Sequence, residues 1–178
     1  SSFFSPSYRY ERIAQVLDAG KGLSTADQAR LMMDPQNLQV PHLLPSIIDA
    51  LKGVPEQADL LALLSAWDGR DGAEQAAPLV YQRLYQRIAY ETFVDELGEP
   101  LAGQFLKSWY SWQSLFDERV QQPQWGWFDD QRTPAVETLP DLIRRAAAQV
   151  RTELVAAHGS DPKAWRWGDE HRIQFDSP

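Results

Sequence analysis

There is no cysteine in these 178 residues, which excludes a disulfide scaffold and any zinc site built on thiolates. A chain without thiols suits an oxidising compartment but does not require one. Basic residues are outnumbered, 17 Lys and Arg against 25 Asp and Glu, for a net charge of −8. So acidic a chain repels phosphate backbones, and nucleic acid is not an expected partner. No apolar run approaches the roughly 20 residues of a membrane span. Histidine is scarce: His42, His158 and His171 share no i, i+3 or i+4 spacing, so no helical metal pair is present. A G-x-S-x-G nucleophile elbow, a Gly-rich phosphate loop and a signal peptide at the start are also missing.

What remains is a chain that is 43% hydrophobic and 24% charged, enough for a core within a polar surface. The length suits one domain, residues 1–178. Seven Trp are many for this size. Large aromatics fill cores and also line substrate clefts, and burial is the commoner fate. The opening Ser1-Ser2-Phe3-Phe4 and the closing Phe175-Asp176-Ser177-Pro178 read as the ends of a piece cut from something longer.

The hydrophobic period is helical along most of the chain. A first helix is predicted over Tyr8 to Ala19 on Ile13, Val16 and Leu17, stopped by Gly20 and Gly22. Ser24, with Asp27 three residues on, is a variant capping box for a second helix that holds Leu31, Met32 and Met33 and ends near Pro35. Leu38 to Leu51 has helical spacing, with a break or kink expected at Pro41 or Pro45. Pro55 starts a short apolar helix that ends at Trp67, which is expected in the core. The turn Asp68-Gly69-Arg70-Asp71-Gly72 precedes a long helix from Ala76 to Leu97, closed by Gly98. Another helix is predicted from Leu101 to Val120, with Phe105, Leu106, Trp109, Trp112 and Phe116 on one stripe. Pro123 to Pro134 is an aromatic and acidic loop. The last helix spans Glu137 to His158 with Gly159 as its stop, followed by a turn at Trp165-Arg166-Trp167-Gly168 and a short strand at Ile173-Gln174-Phe175. The fold class is therefore mainly α, with at most a short terminal strand.

Few residues suggest chemistry by themselves. Asp129-Asp130 could serve as an acid/base pair, but adjacent loop carboxylates usually point apart and one becomes a turn or cap acceptor. Asp68-Gly69-Arg70-Asp71-Gly72 faintly resembles a calcium loop, yet lacks the EF-hand spacing and terminal Glu. His158 sits in the last turn of a helix, where a cation favours the dipole, and His42 reads as a satisfied residue of an apolar segment.

Several stretches taken together resemble the penicillin acylase (penicillin amidase) family of N-terminal nucleophile hydrolases. Tyr8-Arg9-Tyr10-Glu11-Arg12-Ile13 is similar to the family's Y-R-x-x-R-I. Leu23-Ser24-Thr25-Ala26-Asp27 resembles its L-T-x-x-D helix start, and His42-Leu43-Leu44-Pro45 its apolar L-P segment. Leu64-Ser65-Ala66-Trp67-Asp68-Gly69 is similar to L-x-x-W-D-G, and Trp127-Phe128-Asp129-Asp130 with Thr133 to W-x-D-D-x-x-T. Trp165-Arg166-Trp167-Gly168 with His171 and Phe175 is similar to W-x-W-G-x-x-H-x-x-x-F. In order, they cover nearly the whole chain. One departure is Ser177-Pro178, where family members often have His-Pro.

The resemblance implies a parent enzyme, periplasmic or secreted, that cleaves N-acyl amides such as β-lactam side chains or acyl-homoserine lactones. It implies a nucleophilic Ser at the start of a β chain, its α-amine as base, and an oxyanion hole, all upstream of this chain. The chain would be the helical middle part of that β chain. Its partners would be the rest of the β chain, the α chain and a small acyl amide substrate, and calcium, bound by some members, would lie elsewhere. Ser1 could itself be a nucleophile, since a neutral α-amine can take the hydroxyl proton. The family's nucleophile, however, is followed by Asn, and here Ser2-Phe3-Phe4 follow. Arg9 is the one residue carried over, matching an Arg that organises the oxyanion Asn and the substrate carboxylate. A guanidinium fork suits that role; the plainer alternative is a surface ion pair with Glu11 or another acid. From a different class, the chain could be a self-standing helical binding module that presents a Trp-rich apolar face.

Overall fold

A computed structural model describes residues 6–20, 22–108, 111–122 and 124–172. About 69% of the chain is helical, and the described residues form no sheet. The helices are α1 (Tyr8–Ala19), α2 (Thr25–Met32), α3 (Val40–Leu51), α4 (Ala58–Ser65), α5 (Ala76–Leu97), α6 (Glu99–Lys107), α7 (Ser111–Arg119), α8 (Leu139–His158) and α9 (Trp167–Glu170). Short 3₁₀ turns at Pro55–Gln57, Gly126–Phe128 and Pro162–Ala164 join them.

Helix α5 is the axis of the core. It buries fourteen residues while Arg83 and Gln86 stay exposed, and it packs mainly on α8 and α6. Leu79, Leu84 and Ile88 from α5 share one core with Leu43, Ile47 and Leu51 from α3 and Ile143, Val150 and Leu154 from α8, all fully buried. Burying side chains of this size is worth about 1.5–3 kcal/mol each. Helix α8 carries its expected inward stripe and begins with a capping interaction, the Thr138 amide donating to Asp141 Oδ2 at 3.0 Å. Gly98 and Gly159, at φ 73° and 89°, end α5 and α8 in the left-handed region that glycine enters freely.

The structure departs from the sequence expectation in four places. The predicted helix from Leu101 to Val120 is two helices. Ser108 is extended (ψ 145°), its hydroxyl donates to the Phe105 carbonyl and Trp112 Nε1 donates to the Leu106 carbonyl at 3.0 Å. Side chains thus take the acceptors that a continuing helix would need. Trp109 of the predicted stripe lies outside the described residues. Helix α3 runs through Pro45 without a break. The amide Pro45 lacks would have bonded the carbonyl of Pro41, in the first turn, so little of the ladder is lost. Trp67 lies beyond the end of α4 and is half-buried, its Nε1 donating to the Arg70 carbonyl at 2.8 Å. The Trp165–Gly168 turn holds the fully buried Trp165 and the start of the one-turn helix α9. The strand expected at Ile173–Phe175 lies outside the described residues.

Candidate functional site

The polar cleft on the side of the molecule formed by α1 is the candidate site. It encloses about 460 Å³ and is walled by Arg9, Arg12, Asp34, Asn37, Asp71 and His171 among others. Its floor is built by turns. Gly69, at φ 76°, lets the turn after Trp67 present its carbonyl to the Asn37 amide at 2.9 Å and to Gln36 Nε2 at 3.2 Å. Two residues on, Asp71 donates its own amide to the Pro35 carbonyl at 2.8 Å. The His171 side is fixed by backbone docking of Trp167 onto the Gln75 carbonyl (2.9 Å) and of Gly168 onto the Ala73 carbonyl (2.8 Å). A Cβ on Gly168 would stand 3.1 Å from the Ala73 Cβ, so glycine is what permits the close approach.

Within the cleft the charges are unevenly committed. Arg12 bonds Asp34 at 2.7 Å, and Arg70 stands 3.6 Å from the same carboxylate. Burial acts to raise Asp34, but the Arg12 hydrogen bond, the Gln36 amide and the two guanidinium charges outweigh it and hold the group below the ordinary carboxylate range. Asp71 behaves in the opposite sense. Burial pushes it up to about 6, against a hydrogen bond from Asn37 Nδ2 (3.0 Å) and the charge of His171. Its Oδ1 is buried with no donor. Arg9 is exposed and, among the described residues, has neither an ion pair nor a hydrogen bond. Glu11, its expected plain partner, instead takes the Ser7 hydroxyl.

Helix α1 is attached beside this cleft through Tyr8, whose hydroxyl donates to Asp117 Oδ2 at 2.8 Å. Asp117 is buried, and it also accepts from Tyr85 (2.8 Å) and from Gln39 Nε2 (3.1 Å), so one carboxylate on α7 joins α1, α5 and the residue that caps α3. Burial and then Asp117 drive the Tyr8 hydroxyl well above its usual range, so it remains a donor. Sequence reasoning missed Asp117 because its partners are 109, 32 and 78 residues away. The available signal was an acid directly after Phe116 on an aromatic stripe.

The other candidate residues have structural roles. Asp129 and Asp130 point apart: Asp129 Oδ1 accepts the Glu137 amide at 2.9 Å, while Asp130 holds Arg132 in a two-pronged contact at 2.8 Å each. The Arg132 hydrogen bond pulls Asp130 down to about 2. The turn at Asp68 is a turn, with its Oδ1 accepting the Arg70 amide at 3.1 Å. His158 Nε2 is 2.8 Å from Glu170 Oε1, His42 Nδ1 is 2.7 Å from Gln121 Nε2, and His171 stacks on Trp167 at 4.6 Å. No group of three or more His, Asp or Glu among the described residues could hold a metal ion, and no described helix is long and apolar enough to cross a membrane. Ser1 lies outside the described residues. Trp67, Trp112, Trp125 and Trp127 lie along one run of ring contacts: Trp67 against Tyr81, Tyr81 on Tyr85, Tyr85 against Trp112 and Phe116, and Phe116 against Phe93, which the stacked pair Trp125–Trp127 adjoins.

Comparison with known families decides the affiliation: the profile of the family Penicillin amidase matches residues 1–178. The chain belongs to the penicillin amidase family. Acyl-homoserine lactone acylase QuiP of Pseudomonas putida is 27% identical over 196 residues, which take in 100% of this chain and 24% of that protein. The enzyme of the same name from Pseudomonas aeruginosa is 28% identical, over 99% of this chain and 23% of its own length. That from Pseudomonas syringae pv. syringae is 30% identical, over 95% and 23%. The chain thus spans about a quarter of the length of these relatives. In this penicillin amidase chain, the stretches that carried the resemblance turn out mostly to be clasps. The W-D-G turn and the W-x-W-G turn build the two sides of the cleft, D-D-x-x-T closes the loop before α8, and of Y-R-x-x-R only Arg9 is left uncommitted.

Proposed function

We propose that this chain is a helical, non-catalytic part of a longer amide hydrolase that removes acyl chains from N-acyl substrates, with acyl-homoserine lactones preferred to β-lactams. The observation that carries this reading is the full-length match to the family, together with relatives that bear the name acyl-homoserine lactone acylase. The nucleophile, its base and the oxyanion donors would come from the other three quarters of such a protein, as would any calcium. Export to the periplasm or beyond goes with the same reading. Within this chain the contribution falls to Arg9. Its neighbour Arg12 is engaged by Asp34, whereas Arg9 meets the cleft with its guanidinium fork open. A free fork there can hold a carboxylate or carbonyl oxygen through two parallel hydrogen bonds, fixing a substrate or an oxyanion donor before the attack on the amide carbon.

The test is hydrolysis of an acyl-homoserine lactone by the full-length protein and its Arg9→Ala and Arg9→Lys variants. Both should lose turnover, Arg9→Ala the more, with the melting temperature unchanged. Unchanged kinetics would remove Arg9 from the site. The 178 residues alone should give no turnover above background, and activity abolished by Ser1→Ala would make Ser1 the nucleophile and overturn the non-catalytic assignment.

A further inference from the structure

Helices α1 and α2 half-bury Ile13, Val16 and Leu31, yet leave other apolar side chains open. Neither helix has a single buried residue, and neither makes more than slight contact with any other element. Tyr10 is 74% exposed, Met32 73% and Met33 82%, and Leu17 is also exposed. Tyr10 and Leu17 lie seven residues apart, on one face of α1, and Met32 and Met33 close α2. What holds the pair is mostly polar: the Tyr8–Asp117 hydrogen bond, the Arg12–Asp34 ion pair and the Ser24–Asp27 capping box, with the Tyr8 ring against His42 at 5.4 Å. Isolated helices shorter than about 12–15 residues are marginal in water, and most helix stability comes from burying an apolar face. Helices of 12 and 8 residues with no fully buried residue therefore lack much of their usual support.

We infer that the exposed apolar side chains Tyr10 and Leu17 of α1 and Met32 and Met33 at the end of α2 are a docking surface, and that its occupant is apolar polypeptide from the remaining part of the longer penicillin amidase protein. This rests on the reading of the chain as part of a longer enzyme. The relatives supply the material, since this chain accounts for only 24% of the first of them. The location agrees with it. The same α1 that presents Tyr10 and Leu17 carries Arg9 at the cleft mouth, so polypeptide seated there would also wall the open side of the cleft. Flexible methionine suits such a seat, because its unbranched side chain fills irregular gaps.

The chain's two methionines are both on this surface, so methionine oxidation reads it directly. The full-length protein is treated with hydrogen peroxide, and the oxidation of Met32 and Met33 is followed by peptide mass spectrometry against a synthetic peptide spanning residues 28–36. Susceptibility follows exposure, so docking should slow both residues by about tenfold or more. Oxidation at the peptide's rate would overturn the inference. Protection lost on dilution would assign the cover to a second copy, and protection lost in a Phe3→Ser/Phe4→Ser variant would assign it to this chain's own start; either result also overturns it. Acylase activity measured on the same sample separates the two readings. Protection without activity keeps the docking surface and sinks the substrate, whereas activity without protection does the reverse.

Discussion

Helices α5 and α1 show two ways of holding a helix in place. Helix α5 buries residues along its length, from Ala76 to Val94, and its neighbours α4, α6, α8 and α9 close around it. Helix α1 buries none, and is tied by the hydroxyl of Tyr8 and the guanidinium of Arg12. The first arrangement draws stability from apolar area and is complete within the chain. The second relies on polar contacts, which contribute only about 0.5–1.5 kcal/mol each net of the water they displace. The core around α5 should therefore respond strongly to substitution, and the α1–α2 region weakly.

The largest effect is expected at Trp165. It is fully buried and its Nε1 donates to the Gly159 carbonyl at 2.9 Å. Trp165→Ala should cost about 3–5 kcal/mol in urea unfolding, and a loss below about 1 kcal/mol would place Trp165 outside the core. Asp117 comes next, because it is where the two regions join. Asp117→Ala leaves the hydroxyls of Tyr8 and Tyr85 and the amide of Gln39 without their shared acceptor. The expected cost is about 1–3 kcal/mol, with α1 amides exchanging faster than before. A neutral Asp117→Ala would mean that the network does not hold α1.

Trp67 sharpens the comparison from the core side. Placed as the end of an apolar helix it would cost as much as Trp165, but half-buried beyond α4 it should cost only about 1–2 kcal/mol on truncation to Ala. Asp71 gives the effect of pH. Its folded value of about 6 lies above the ordinary Asp value of about 3.9, so the native state keeps a proton that the unfolded chain has released. The stabilisation is full below pH 4 and is lost as pH rises through 6. With partial solvent screening the amplitude is on the order of 1 kcal/mol. Asp71→Asn should flatten the melting temperature between pH 4 and 7, and an unchanged slope would assign the dependence to other groups. The smallest effect is expected for Met33→Lys in the 178-residue chain, within about 0.5 kcal/mol of zero.

The helices were legible in the sequence wherever period and punctuation agreed. Ala76 to Leu97 was bounded correctly because Gly98 stops a long apolar run, and Ser24 with Asp27 formed the capping box that their spacing announces. The break at Ser108 was not legible. It depends on where the Ser108 hydroxyl and the Trp112 indole find acceptors, and the apolar stripe runs straight across it. Of the candidate site, Arg9 was visible only through a resemblance, and Asp129 and Asp130 were rightly read as turn chemistry. Asp117 and Asp71 escaped because a carboxylate's burial and partners are set by tertiary folding, which spacing along the chain does not encode. The exposure of Met32 and Met33 escaped for a related reason: a helical period says that a face will be buried, not by which polypeptide.

Hydrogen exchange on the 178-residue chain tests this contrast most directly, because it reads each helix separately. Amides of α3, α5 and α8 should be protected by about a thousandfold or more, and those of α1 and α2 by no more than about tenfold. Protection of α1 and α2 equal to that of α5 would contradict the account, since it would show that polar ties alone complete this region within the chain.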